Sequence, residues 1–183
     1  GIIGGLLGGF FSYLLIHGAR WILPWQSRKP LLIAATCGLA IAVIGLLSGG
    51  STYGTGYEEA KALVSGSGEV VTGFTFYKML ATVASYLSGI PGGIFAPSLF
   101  MGAMAGGFFG VVMNMLFPSI TASPAAYALV GMGAVVAGAT HATITSIIIV
   151  FEMTGDYRII LPMMIACVFA TLIANRIDKE SIY

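Results

Sequence analysis

The run Ser88-Gly89-Ile90-Pro91-Gly92-Gly93-Ile94-Phe95-Ala96-Pro97 puts three glycines and two prolines inside an otherwise apolar stretch. Glycine weakens a helix and proline removes part of its hydrogen-bond ladder, so this run breaks any membrane-spanning helix that contains it. Backbone that leaves the helix at membrane depth is tolerated only where protein buries it or where it lines a cavity. The chemistry open to such a break is anion binding. An ion taken into a low-dielectric medium without replacement of its hydration costs on the order of tens of kcal/mol. A full Lys or Arg charge can replace that hydration, yet it tends to hold the ion too tightly for turnover. A helix N-terminus is gentler, contributing roughly 0.3 to 2 kcal/mol through amides aimed at the ligand. Here Gly92 and Gly93 permit close approach, Pro97 suits the first turn of a following helix, and the amides of Ile94, Phe95 and Ala96 are left over. A plainer reading of the same residues is a tight turn between two packed helices.

Other polar residues in apolar surroundings carry competing readings. Glu152 follows Ile147-Ile148-Ile149-Val150-Phe151, so it serves either as a structural hydrogen-bonding group near a helix end or in proton handling. Lys78 is either a structural partner to a carbonyl or carboxylate or an electrostatic aid to an anion. His17 and His141 lack a ligand-spaced partner, and no His-Glu-x-x-His pattern occurs, so no metal site is expected. Phe100, Met101 and Met104 read as packing. Cys37 and Cys167, each in an apolar run, read as small buried hydrophobes rather than a disulfide pair.

The elements that must position these residues are helices in lipid. Apolar residues make up 57% of the chain and charged residues 8%, against about 25% charged in a soluble domain. Mean hydropathy is +0.96. A net charge of +1 gives no basic face for nucleic acid. The 26 glycines suit helices packed backbone to backbone. Six apolar stretches stand out, at residues 1–23, 31–48, 70–87, 94–117, 125–151 and 159–177, against a span of roughly 20 residues. Glycine and proline interrupt the third, fourth and fifth, which predicts short or tilted helix pairs among them. Trp21, Pro24 and Trp25 mark an interfacial edge.

Between these stretches, Pro24-Trp25-Gln26-Ser27-Arg28-Lys29-Pro30 reads as a loop, and so does the Gly/Ser/Thr-rich segment 49–57. Glu58-Glu59-Ala60-Lys61 predicts a short surface helix, and Ser65-Gly66-Ser67-Gly68 a turn. Ser123-Pro124 predicts a capped helix start, and Gly155-Asp156 ends one helix and caps the next. Arg20, Arg28 and Lys29, with Arg176 and Lys179, predict that both basic clusters face the cytoplasm. The opening Gly1-Ile2-Ile3, without Met or a basic leader, predicts an internal piece of a longer polypeptide.

Gly93-Ile94-Phe95-Ala96-Pro97, with the Ser88-Gly89-Ile90-Pro91-Gly92 before it, closely resembles the third filter segment of the CLC family of chloride channels and chloride/proton antiporters. Ser51-Thr52-Tyr53-Gly54-Thr55-Gly56-Tyr57, Gly131-Met132-Gly133-Ala134 and Phe151-Glu152-Met153-Thr154-Gly155-Asp156-Tyr157 resemble the same family in the same order. Tyr183 falls where the family places its filter tyrosine. The resemblance covers residues 1–183 as the C-terminal half of the family's membrane domain. It implies an all-α polytopic fold of broken, tilted helices, the second of two inverted repeats. It implies chloride transport, by channel or by chloride/proton antiport. The central chloride would sit on the amides of Ile94 and Phe95, the outer site on those of Phe95 and Ala96, and the Tyr183 hydroxyl would donate to the central ion. Gly93 and Pro97 complete that site.

Chloride, with protons in an antiporter, is then the bound substrate, and no cofactor is implied. The other implied partners are the bilayer, an N-terminal half of the same chain and a second copy, joined partly through segments from Ser146 to Ile173. The family's filter serine, its gating glutamate in a Gly-Arg-Glu-Gly-Pro segment and its inner proton-transfer glutamate belong to that first half. Thr143 departs from the family, whose members often carry Pro there, which bears on where the local helix starts. The residues alone leave two further readings: an intramembrane enzyme using Glu152, His141 or serines, and a non-transporting structural membrane subunit.

Overall fold

Helix α1 (Ile2–Gln26) carries two stripes of glycine that bring it against two other helices at backbone distance. A Cβ on Gly4 would lie 2.6 Å from the Ala134 Cβ, and one on Gly8 2.8 Å from the Ala139 amide nitrogen, both on helix α6 (Pro124–Thr140). On the neighbouring stripe, a Cβ on Gly5 would lie 2.6 Å from the Ala170 carbonyl oxygen and one on Gly9 3.1 Å from the Ala174 Cα, both on α8 (Ile160–Ile177). The glycine-rich composition is thus spent on helix contacts, as lipid-embedded packing requires.

The computed structural model describes residues 1–65, 73–90 and 92–182. Among them the remaining helices are α2 (Pro30–Leu47), α3 (Tyr57–Val64), α4 (Phe74–Leu87), α5 (Phe95–Leu116) and α7 (Thr143–Thr154), with a 3₁₀ turn at Tyr157–Ile159. No strand occurs among the described residues. The segments Ile2–Gln26, Pro30–Leu47, Phe95–Leu116 and Tyr157–Ile177 are long and apolar enough to cross a membrane. The main core lies where α3, α5, α6 and α8 meet, built on Leu63, Leu99, Met104, Leu129 and Met163. A second cluster joins Phe11 and Leu15 of α1 to Met79 and Val83 of α4, with Ile94 and Met101.

The expected interruptions are met in one stretch and overruled in another. The fifth divides: α6 ends at His141, a non-glycine residue at φ 56°, and α7 begins at Thr143. The fourth does not, because α5 runs unbroken through Gly102, Gly106, Gly107 and Gly110. Those glycines form its crossing with α6, where a Cβ on Gly131 would meet the Gly106 Cα at 2.8 Å and one on Gly110 the Pro124 Cα at 2.9 Å. Burial of α5 against α6 offsets the roughly 1 kcal/mol that each helical glycine costs. The third stretch forms a single helix from Phe74, and its residues 70–72 lie outside the described residues.

The loop expected at 24–30 is shorter than its prolines suggest. Pro24 is accommodated in the last turn of α1, where its missing N–H removes one bond, and Pro30 opens α2 at the first position. The short surface helix is α3, which buries Ala60 and Leu63. Ser123 caps α6, while Gly155 and Asp156 divide α7 from the following turn, as the sequence predicts. Of the turn expected at 65–68, residues 66–68 lie outside the described residues. Thr143 starts α7 without the family's proline, its hydroxyl 2.7 Å from that of Thr171 on α8.

Candidate functional site

Helix α4 stops at Leu87 because Ser88 and Gly89 turn the chain away. The Ser88 hydroxyl donates to the Ser85 carbonyl at 2.6 Å, and Gly89 takes φ 78°, which a side chain would resist. Pro91 lies outside the described residues. Helix α5 then starts at Phe95, with Ile94 as the residue before it and no side chain capping its amides. The first amide to enter the ladder is that of Ser98, which donates to the Ile94 carbonyl at 3.1 Å. Pro97 has no N–H to offer. Among the described residues, the amides of Ile94, Phe95 and Ala96 have no protein acceptor. The first turn also carries no acidic residue, so the positive end of a 22-residue helix is not neutralised.

Ile94 and Ala96, on either side of Phe95, border a cavity of about 430 Å³. Gly92, Gly93, Ile94, Ala96 and Pro97 line it on the α5 side, and Lys78, Thr82, Ser85 and Tyr86 on the α4 side. The turn 52–55 and Ile41 of α2 complete its wall. No carboxylate reaches the cavity among the described residues, so nothing there repels an anion. Ile94 is buried in the second cluster, and the Phe95 side chain packs on the main core away from the cavity. The Thr75 hydroxyl donates to the Met101 carbonyl at 3.3 Å and fixes α4 to α5.

Tyr183 lies outside the described residues, but the segment leading to it is tied down. The Ser181 hydroxyl donates to the Thr140 carbonyl at 2.7 Å, and Ile182 packs on the cluster that contains Ile94. Arg20 of α1 pairs with Glu180, which brings α1 beside the segment that follows α8.

The groups an enzyme would use are not assembled. Glu152 is exposed near the end of α7, and His141 precedes the start of that helix, about 15 Å away along the axis. The hydroxyls of Ser98 and Ser146 donate to the Phe95 and Ala142 carbonyls and meet no base. Among the described residues no three His, Cys, Asp or Glu side chains could hold a metal. Cys167 is buried and Cys37 half-buried, and both are free thiols.

The sequence missed one grouping. His17, stacked on Tyr13, has its Nδ1 3.5 Å from the Asp178 carboxylate, and the same carboxylate acts through space on His141. Its members are separated by up to 161 positions, and no local signal links them.

The helices long and apolar enough to cross a bilayer define an integral, multi-pass membrane protein of helical type. The sequence pattern of the voltage gated chloride channel family matches residues 1–175, and the chain belongs to that family. It is 34% identical over 196 residues to the H(+)/Cl(-) exchange transporter ClcA of Yersinia pestis bv. Antiqua, covering all of this chain and 39% of that protein. It is 36% identical over 183 residues to a ClcB-like chloride channel protein of Ralstonia nicotianae, covering 100% of this chain and 42% of that one. The X-ray crystal structure of a slow cyanobacterial Cl-/H+ antiporter matches with a TM-score of 0.71 at 29% identity, over 100% of this chain and 44% of that one. The chain therefore spans about two fifths of the length of the curated relatives it matches.

Proposed function

We propose that this chain supplies one half of a chloride pathway in a membrane transporter, the other half coming from an N-terminal repeat of the same protein. The observation that carries this reading is the start of α5: three amides without an acceptor among the described residues, at the positive end of a helix, where Ile94 and Ala96 border a cavity that no described carboxylate lines. In this reading Gly93 and Pro97 shape the cradle. The Ile94 and Phe95 amides hold a central chloride, and those of Phe95 and Ala96 face an outer one. Tyr183 donates its hydroxyl to the central ion, and the anchoring of Ser181 and Ile182 supports that placement. The amides are neutral, so they replace hydration without a full charge and let the ion leave. Transport, not catalysis, is the activity, with no cofactor.

The relatives named above include exchangers of chloride against protons, so proton coupling is read in the same experiment. A second copy is expected on the apolar outer face of α7 and α8, where Ile144, Ile148, Leu161, Ile165, Phe169 and Leu172 are exposed. The test uses the full-length protein in liposomes, with chloride efflux and internal pH followed together and chloride binding measured by calorimetry. Wild type carries chloride, and Tyr183→Ala weakens binding by about tenfold, the loss of one hydrogen bond to a charged group. Absence of chloride flux from the intact wild-type protein overturns the reading.

A further inference from the structure

Lys78 is 2% exposed, in the middle of α4. Its ammonium donates to the Thr52 carbonyl at 2.8 Å and to the Gly54 carbonyl at 2.6 Å. Both carbonyls belong to the turn 51–56, which left-handed glycines at 54 and 56 bend sharply. Among the described residues no carboxylate forms an ion pair with Lys78, and Glu59 acts on it only through space. An ammonium has three donors, so one N–H has no protein acceptor among the described residues. Neutral carbonyls supply no counter-charge, and an unbalanced buried charge is unfavourable. Lys78 borders the same cavity as Gly93, Ile94 and Ala96, and so does the turn that it holds.

We infer that Lys78 is a positioning residue for the anion site, clasping the turn 51–56 to α4 so that the turn completes the wall of the cavity beside the first amides of α5. This inference rests on the chloride reading of that cavity. The clasp explains two features at once. The buried cation acquires a counter-charge when an anion enters, and a turn far from α5 in sequence becomes part of its surroundings. Lys78 is also distinct from the amides in its mode of action. It shapes and charges the wall, whereas the amides provide direct ligands.

The test uses the full-length protein with Lys78→Met, which keeps the aliphatic stem, and Lys78→Arg, which keeps donors and charge. Amide hydrogen exchange across residues 51–56 reads the clasp, and calorimetry reads chloride affinity. Lys78→Met is expected to speed exchange in the turn and to weaken chloride binding about tenfold, while Lys78→Arg recovers most of both. A lysine that only supports the fold would lower the melting temperature and leave affinity at the wild-type value, and that result overturns the inference. Should Lys78→Met fail to fold, Lys78→Gln keeps two N–H donors and drops the charge. It is expected to lose affinity by a similar factor, and wild-type affinity there overturns the inference equally. If the wild-type protein itself binds no chloride, the chloride reading falls, while exchange in the turn still decides whether the clasp exists.

Discussion

Helices α5 and α6 pack against each other and both carry proline in their first turn, yet their N-termini are finished in opposite ways. In α6 the proline stands first, at Pro124, where its missing N–H is one that a helix leaves unused. Ser123 before it accepts the Ala126 amide at 3.4 Å, so the end is satisfied from within. In α5 the proline stands third, at Pro97, and removes a donor that a capping side chain would take. The preceding amides remain, and Ile94 has no side-chain oxygen to offer them. One residue type at two positions thus makes a closed end and an open one. The lesson is that the register of proline, together with the residue before the helix, decides whether a helix start is structural or available to a ligand.

The strongest way to break this contrast is to close the open end. Gly93 has no neighbour within 4 Å of where a Cβ would stand, so Gly93→Asp fits and places a carboxylate beside the free amides. The expected result is a loss of chloride affinity of about a hundredfold, or ~3 kcal/mol, as the side chain takes charge-assisted bonds the ion would make. Calorimetry on the full-length protein measures it, and unchanged affinity would place the ion elsewhere. Next in size is Gly131→Val, which forces the α5–α6 crossing apart and costs about 1–3 kcal/mol of stability. Thermal unfolding in detergent checks it, and both helix starts should be perturbed together. Smallest is Ser123→Ala, which reopens the closed end for about 0.5–1 kcal/mol. Chloride affinity should not change there, since the α6 start does not border the cavity.

What the sequence revealed of this structure follows the range of the forces involved. Glycine and proline act within a few residues, so the break at 88–97, the cap at Ser123 and the division at Gly155 and Asp156 could be read directly. The continuity of α5 could not, because its glycines cost local stability that only contact with α6 offsets. The left-handed turn at His141 gave no signal either, since residues other than glycine uncommonly take that conformation. For the site, the open amides were legible and their surroundings were not. Lys78 and the carbonyl of Thr52 are 26 positions apart, and nothing in either segment announces the other. Thr143 stood out as a departure, and the hydroxyl contact with Thr171 shows what holds that helix start in place of a ring.

The glycine stripes of α1 limit how this molecule can move. Where backbones touch without intervening side chains, one helix cannot slide past another without atoms colliding, so α1, α6 and α8 behave as a single interlocked block. Rearrangement within this chain is therefore easiest outside that block. Helix α2, of which only Gly45 is buried, lies outside that block.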